Sequence, residues 1–273
     1  MNISEEATGD QRRATGRMSP DRSLRLVLLG DPVDHSLSPA IHRAALAAWG
    51  IDGTYEARRV DIAGLAAAIG EIREGALHGA NVTMPHKRRA LEECNLLDAD
   101  ARLAGAVNTL SAGAGEVRGW NTDVAALRGV LASRPSGPLL VLGAGGAAAA
   151  ALVAGAGRSS MVSARREAAA ARLSSAMVPW GSPVEGAVVV NATPLGMRGE
   201  SVPPAVLAAA AGLVDLAYGS SVTPAVATMQ AMGRPVVDGI AVLVAQAAAS
   251  FTIWTGDPAP VEVMERAARS ADS

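Results

Sequence analysis

The sequence is short of cysteine, of long apolar runs and of lysine, and each shortage narrows what the protein can be. One cysteine, Cys94, excludes an internal disulfide and fits a reducing compartment. No uncharged apolar run reaches the roughly 18 residues of a membrane-spanning helix. The most apolar stretch, Ile240 to Trp254, is shorter and reads as a buried helix. The N-terminus lacks an apolar signal core, so residues 1–23 read as a disordered polar extension and the protein is expected in the cytoplasm. The four histidines (His35, His42, His78, His86) have no metal-ligand spacing with one another or with Cys94, so no metal is expected. A net charge of −2 with scattered arginines provides no basic stripe for nucleic acid.

Lysine is the most telling shortage. Of 24 basic residues, 23 are arginine and only Lys87 is lysine. Alanine, glycine and arginine abound, as under a coding bias that exchanges lysine for arginine wherever the two serve equally. Arginine stays protonated, with a pKa above roughly 12, whereas lysine releases a proton when its surroundings depress its pKa. A site that hands a proton over and takes it back therefore needs lysine. The plain alternative is a neutral surface residue left by drift. The neighbours of Lys87 are specific, however. In Gly79-Ala80-Asn81-Val82-Thr83-Met84-Pro85-His86-Lys87, a short strand runs to Met84 and Pro85 stops it. Asn81 and Thr83 place short hydrogen-bonding side chains beside that break.

At 273 residues, 49% of them hydrophobic, the chain is long enough for two modest domains. Strand-like and helical runs alternate, which predicts an α/β fold with mainly parallel sheets. A strand at 24–29 ends in Gly30-Asp31-Pro32, and Ser36-Leu37-Ser38-Pro39 opens an alanine-rich helix to Trp49. Ser38 reads as the N-cap, with Pro39 at the first helical position. Ser36 is left unexplained by capping, and two hydroxyls at a helix N-terminus also suit a carboxylate. Strands are expected at 55–60 and 104–110, and helices at 62–74 and 88–97. Residues 116–120 read as the hairpin partner of 104–110, and Asn121-Thr122-Asp123 as the N-cap cluster of a helix to about 131.

Beyond the turn Arg134-Pro135-Ser136-Gly137-Pro138, a buried strand from Leu139 to Leu142 runs into Gly143-Ala144-Gly145-Gly146-Ala147-Ala148. This glycine pattern, between strand and helix, allows close approach of the backbone to a pyrophosphate at a helix N-terminus. The next strand, 160–163, ends at Ala164-Arg165-Arg166. An NAD site usually places an acidic residue there for the ribose 2′-hydroxyl. Guanidinium groups instead suit a 2′-phosphate, so NADP is the expected cofactor, read by Arg165 and Arg166; solvated surface charge is the alternative. Val188 to Asn191 is a buried strand running into Ala192-Thr193-Pro194-Leu195-Gly196-Met197. A strand at 213–218 ends at Tyr218, Thr223-Pro224 starts a helix, and 236–239 ends the last strand. A long helix from Ile240 carries Gln246, and the tail from Asp257 forms at most one more short helix.

These stretches resemble, in the same order, the motifs of the shikimate dehydrogenase family. The likeness rests on Asn81-Val82-Thr83-Met84-Pro85-His86-Lys87, the Ser36/Ser38 loop, Gly105-Ala106-Val107-Asn108-Thr109, Asn121-Thr122-Asp123 and Asn191 to Met197, and it spans residues 24 to 256. It implies that Lys87 and Asp123 form a polar pair at the reacting oxygen, without saying which of them moves the proton. Ser36 and Ser38 would hold a carboxylate, and Thr83, Asn108, Tyr218 and Gln246 would orient the substrate ring. Gly143, Ala144, Gly145, Gly146, Ala147, Asn191, Thr193 and Gly239 would lie along NADP. The implied architecture is a discontinuous substrate-binding domain (24–122 and 240–273) and a Rossmann-like NADP-binding domain (123–239), with the site in the cleft between them.

The implied reaction is reversible hydride transfer between NADPH and 3-dehydroshikimate, a step toward chorismate and the aromatic amino acids. The resemblance implies a small-molecule partner, with no nucleic acid or membrane, for a monomer or homodimer. The chain departs from the family pattern at Val124 (commonly glycine), at Ala164 and Arg166 (commonly Asn and Thr), and at Ala241-Val242 (often Gly-Met). Two other readings stay open. One is quinate or amino-shikimate as substrate; quinate-active relatives often carry threonine at the position of Ser38. The other is a non-catalytic ligand or nucleotide sensor, against which Lys87, Asn108 and Asp123 argue.

Overall fold

The computed structural model describes residues 23–113, 115–174, 176–219 and 222–271. Apart from Ser23, the extension expected at the N-terminus lies outside these residues. The chain forms two sheets. The first is built by β1 (Leu24–Gly30), α1 (Ser38–Ala48), β2 (Gly53–Arg59), α2 (Ile62–Arg73), β3 (Gly79–Val82), α3 (Lys87–Glu92), β4 (Leu96–Leu97), α4 (Ala99–Ala104), β5 (Thr109–Gly113) and β6 (Glu116–Trp120). Its strand order is β2-β1-β3-β5-β6-β4. β1 pairs in parallel with β2 and β3, whereas β5 runs antiparallel to both β3 and β6. The sheet is therefore mixed.

The second sheet follows α5 (Thr122–Ala132). It comprises β7 (Leu139–Leu142), α6 (Gly146–Ala154), β8 (Ser160–Ser163), α7 (Glu167–Ala170), β9 (Val188–Asn191), α8 (Pro204–Ala209), β10 (Gly212–Asp215), α9 (Pro224–Ala231) and β11 (Val236–Val237). The order β11-β10-β9-β7-β8 is parallel throughout. The chain then returns to the first sheet through α10 (Gly239–Thr255) and α11 (Val261–Ala271). The fold is α/β with two domains, the first of them discontinuous.

Side-chain alternation explains the layers. In β1, Leu24, Leu26 and Leu28 pack with α1, α10 and α11, while Val27 and Leu29 face the α2 layer. β7 and β9 are buried along their whole length, as central parallel strands between two helical layers must be. Helix α10 joins the two units. Its Ile240, Val244, Ala247, Phe251 and Trp254 belong to the first core, and its Val242 to the second. Each fully buried large apolar side chain contributes about 1.5–3 kcal/mol. The tail expected to form at most a short helix is instead the 11-residue α11, which buries Met264 and Ala268 in the first core.

Several expectations fail for identifiable reasons. The strand expected at 104–110 starts only at Thr109, because residues 99–104 form α4, which Gly105 ends at φ +62°. The strand expected at 213–218 ends at Asp215, whose Oδ1 accepts from Ala217 N (3.0 Å) and turns the chain. The helix expected at 88–97 stops at Glu92, because Asn95 Oδ1 accepts from Val117 N (2.9 Å) and draws the chain into β4 beside β6. Ser38 is not an N-cap: Leu37 holds the cap position in helical conformation, and α1 has no side-chain cap.

Candidate active site

The two sheets face each other across a cleft of about 360 Å³. Every residue expected at the substrate lines it: Ser36, Ser38, Thr83, Lys87, Asn108, Asp123, Tyr218 and Gln246. Of the residues expected at the cofactor, Ala147, Thr193 and Gly239 also line it.

Lys87 is delivered by the end of β3. Thr83 N donates to Leu29 O (2.8 Å), a cis Met84-Pro85 bond turns the chain, and Lys87 opens α3. Asp123 is delivered by α5, whose cap residue Asn121 accepts from Val124 N (3.2 Å) and donates to Ala106 O (2.9 Å). A carboxylate in the first turn of a helix sits in favourable potential. The two side chains meet with Lys87 Nζ donating to Asp123 Oδ2 at 2.6 Å. They remain 24% and 21% exposed, so the pair is shielded yet open to the cleft.

Beneath the pair lies a buried polar network. The Asn108 side-chain oxygen accepts from Thr122 N (2.8 Å), Thr122 Oγ1 (3.1 Å) and Thr109 Oγ1 (3.1 Å). That leaves the Asn108 amide nitrogen as the group offered to the cleft, a donor suited to a hydroxyl or carbonyl oxygen. Asn81 Nδ2 reaches Thr109 Oγ1 (3.1 Å), Ser250 Oγ (3.0 Å) and Asn108 O (3.2 Å). Ser250 Oγ also lies 2.9 Å from Thr109 Oγ1 and 3.2 Å from Thr122 Oγ1. Gln246 is tied in through Thr122 Oγ1 (3.4 Å) and donates to Leu243 O (3.0 Å). One hydroxyl on α10 thus links β3, β5 and α5.

At the far end of the cleft, Ser36 Oγ accepts from Ser38 N (3.3 Å). Tyr55 lies fully buried next to Ser38 and donates to Asn81 Oδ1 (2.7 Å). Burial pushes the Tyr55 hydroxyl well above its ordinary range, while a hydrogen bond with Ser38 acts the other way. His42 stacks on Tyr55 with ring centroids 4.4 Å apart, and burial lowers its pKa to about 3. It is a neutral packing residue.

The opposite wall relies on backbone. Gly143 has φ +111°, and a Cβ there would lie 2.7 Å from Ala192 O, so the turn from β7 fits tightly against the β9 loop. No atom stands within 4 Å of where a Cβ would be on Gly145 or Gly146. Helix α6 has no side-chain cap, which leaves its first-turn N–H groups open to an anion. Gly239 opens α10 and does not end a strand; a Cβ there would lie 2.3 Å from Ala217 O. These features fit a dinucleotide pyrophosphate.

Gly143 to Gly146 and the exposed Arg165 and Arg166 are not among the cleft-lining residues. They follow the strand ends outward, from β7 to the edge strand β8. Asn191 also falls outside the lining set. It is fully buried, donates to Leu195 O (2.9 Å) and Asp215 Oδ1 (2.8 Å), and accepts from Thr193 Oγ1 (2.6 Å). Its side chain shapes the loop that presents Thr193.

Sequence reasoning missed Tyr55, Thr109, Thr122 and Ser250 as members of the site. The signal for two of them was the Asn-Thr pair at 108–109 and again at 121–122, each near a strand end. Nothing in the sequence singles out Ser250 from Thr252 and Thr255, the other hydroxyl residues of α10.

Comparison with known proteins agrees with this geometry. The family profile described as the shikimate dehydrogenase substrate binding domain matches residues 28–110, and the shikimate 5′-dehydrogenase C-terminal domain matches 239–269. A shikimate dehydrogenase (NADP(+)) of Anaeromyxobacter sp. (strain Fw109-5) is 39% identical over 263 residues, covering 88% of this chain and 94% of that protein. The crystal structure of shikimate 5-dehydrogenase from Thermus thermophilus, in complex with NADP(H) and shikimate, matches with a TM-score of 0.83 at 35% identity, covering 91% of this chain and 99% of that one. The fold is also shared with 5-ketofructose reductase of Gluconobacter sp. strain CHM43, at TM-score 0.82 and 23% identity, so fold alone does not set the substrate. Sequence identity along most of the chain does set the family: the chain belongs to the shikimate dehydrogenases.

Proposed function

We infer that this protein is an NADP-dependent shikimate dehydrogenase, catalysing reversible hydride transfer between NADPH and 3-dehydroshikimate in the cytoplasm. The observation that carries the reading is the Lys87–Asp123 contact at 2.6 Å, in a cleft that also gathers Ser36, Ser38, Thr83 and Asn108. Relatives bound to NADP(H) and shikimate support it. No helix among the described residues is long and apolar enough to cross a membrane. Residues 24–122 and 240–273 form the substrate domain, and 123–239 the cofactor domain.

The open backbone of Gly145 and Gly146 and the first turn of α6 would hold the pyrophosphate, and the exposed guanidinium groups of the Arg165-Arg166 pair would supply the positive charge for the 2′-phosphate. When bound, the cofactor supplies or takes up the hydride. The chain's own residues do the rest. Ser36 and Ser38 donate hydroxyl hydrogens to the substrate carboxylate. The Asn108 amide donates to a ring oxygen, with Thr83, Tyr218 and Gln246 completing the wall. Reduction of the ketone places negative charge on its oxygen, and the Lys87 ammonium stabilises that charge and gives the oxygen its proton. In the oxidation direction Lys87 accepts that proton back. Asp123 keeps the lysine in place through both.

A spectrophotometric assay of the purified protein tests this, with shikimate and quinate each offered with NADP and NAD. Shikimate with NADP is expected to give the highest kcat/KM. Equal efficiency on quinate would favour the quinate reading, and turnover with no substrate pair would favour a sensor.

A further inference from the structure

We propose that Trp180 is a specificity-determining positioning residue for the cofactor: it holds Arg165, rather than Arg166, as the guanidinium that reads the 2′-phosphate. The proposal rests on the NADP reading of the β8 end.

Trp180 lies between α7 and β9, in a stretch with no regular pattern in sequence. The structure shows how it reaches the cofactor wall. Val162 N donates to Ala176 O (3.0 Å), Val178 N donates to Val162 O (3.0 Å), and Val162 and Met177 form a parallel bridge. Ser163 Oγ adds a bond to Pro179 O (3.1 Å). The segment 176–179 therefore runs along the outer edge of β8 as a rudimentary strand, and carries Trp180 to the end where Ala164-Arg165-Arg166 emerges. The indole is half-buried against the apolar layer that includes Leu142 and Val206. It is anchored by the core, not by the arginine.

Arg165 Cζ stands 5.3 Å from the centroid of that indole. A cation within about 6 Å of a tryptophan face is attracted by the ring quadrupole. Among the described residues, no carboxylate or hydrogen-bond acceptor engages the Arg165 guanidinium. The distinction matters chemically. A carboxylate partner would occupy the N–H edges and offset the charge. An indole carries no charge and offers no oxygen acceptor, so it leaves the guanidinium's charge and N–H donors for a phosphate. Arg165 is thus pre-positioned with its charge intact. Ala144 of the glycine-rich loop packs against Val162, Ala164 and Ala170, which puts this arginine one residue beyond the loop's own contact surface. Among the described residues no aromatic ring supports Arg166, which occupies the N-cap position of the four-residue α7.

The test is a calorimetric comparison of 2′,5′-ADP with 5′-AMP on the full-length protein. The two probes differ by the 2′-phosphate alone. Trp180→Leu is expected to weaken 2′,5′-ADP binding about 3- to 10-fold, the range of a cation–π contact, and to leave 5′-AMP nearly unchanged. Trp180→Phe should keep most of the affinity, and Arg166→Ala should cost less than about 2-fold. In an Arg165→Gln background, Trp180→Leu should add nothing, because its effect passes through the arginine. Equal losses for both probes, or a full loss persisting in that background, would overturn the proposal and make Trp180 a packing residue. If Arg165→Gln alone leaves 2′,5′-ADP binding intact, it is the underlying assignment of Arg165 to the phosphate that fails.

Discussion

The two walls of the cleft recognise their ligands in different ways. On the first-sheet wall, Asn81, Asn108, Thr109, Thr122 and Ser250 are all buried and satisfy one another before any ligand arrives. On the second-sheet wall, the groups proposed to recognise the cofactor are open backbone N–H donors and two exposed arginines. A buried network fixes which donor points where, so it suits one small molecule, and it is expensive to leave incomplete. A backbone cradle tolerates side-chain change and suits a cofactor shared with many enzymes. Damage to the first wall should therefore appear in turnover and stability, and damage to the second in cofactor affinity.

The largest expected effect is at Lys87. Lys87→Ala should lower kcat by at least about 10³-fold, through loss of both proton transfer and charge stabilisation. The melting temperature should barely move, since the side chain is partly exposed and held by one contact. A kcat within tenfold of wild type would erase the distinction between the walls.

Asn81→Ala comes next. It removes the acceptor for the Tyr55 hydroxyl and the donor shared by Thr109 and Ser250. A loss of about 2–3 kcal/mol in urea unfolding is expected, together with reduced kcat. Unchanged stability would mean that water fills the gap and that the network is not a rigid scaffold.

The carboxylate end should show a smaller, selective effect. Quinate carries an extra hydroxyl at the carbon bearing the carboxylate. An unpartnered polar group there costs about 1–3 kcal/mol, so kcat/KM for quinate should be about 5- to 150-fold below that for shikimate. Ser38→Thr should shift this ratio more than it shifts the KM for NADP. A change confined to the KM for NADP would place Ser38 on the wrong wall.

Smallest is the cofactor wall. Neutralising Arg165 and Arg166 together should raise the KM for NADP about tenfold and leave that for NAD nearly unchanged. Comparable NAD and NADP use by the wild type would remove the basis for assigning them to a 2′-phosphate.

How much of this was legible in sequence also differs between the walls. The glycine-rich turn after Leu139 to Leu142 and the cap at Asn121 were readable, because local backbone chemistry dictates them. Lys87 and Asp123 stood out by type and motif, yet nothing local puts their side chains within 2.6 Å of each other. The segment from α3 into β4 reads as one helix in sequence, because the bond from Val117 N to Asn95 that ends it is tertiary and outweighs propensity. Ser250 and Tyr55 escaped for the same reason: their partners lie 141 and 26 residues away. Residues 176–179 have no strand pattern and become strand-like only against β8.

The most direct test of the reading at Lys87 is the kcat of Lys87→Arg with shikimate and NADP. Arginine keeps the positive charge and can keep the contact with Asp123, but it does not release a proton at working pH. Proton transfer by Lys87 predicts a fall in kcat approaching that of Lys87→Ala, in a protein that still melts like the wild type. A variant retaining near wild-type kcat would contradict that role and leave Lys87 a purely electrostatic one.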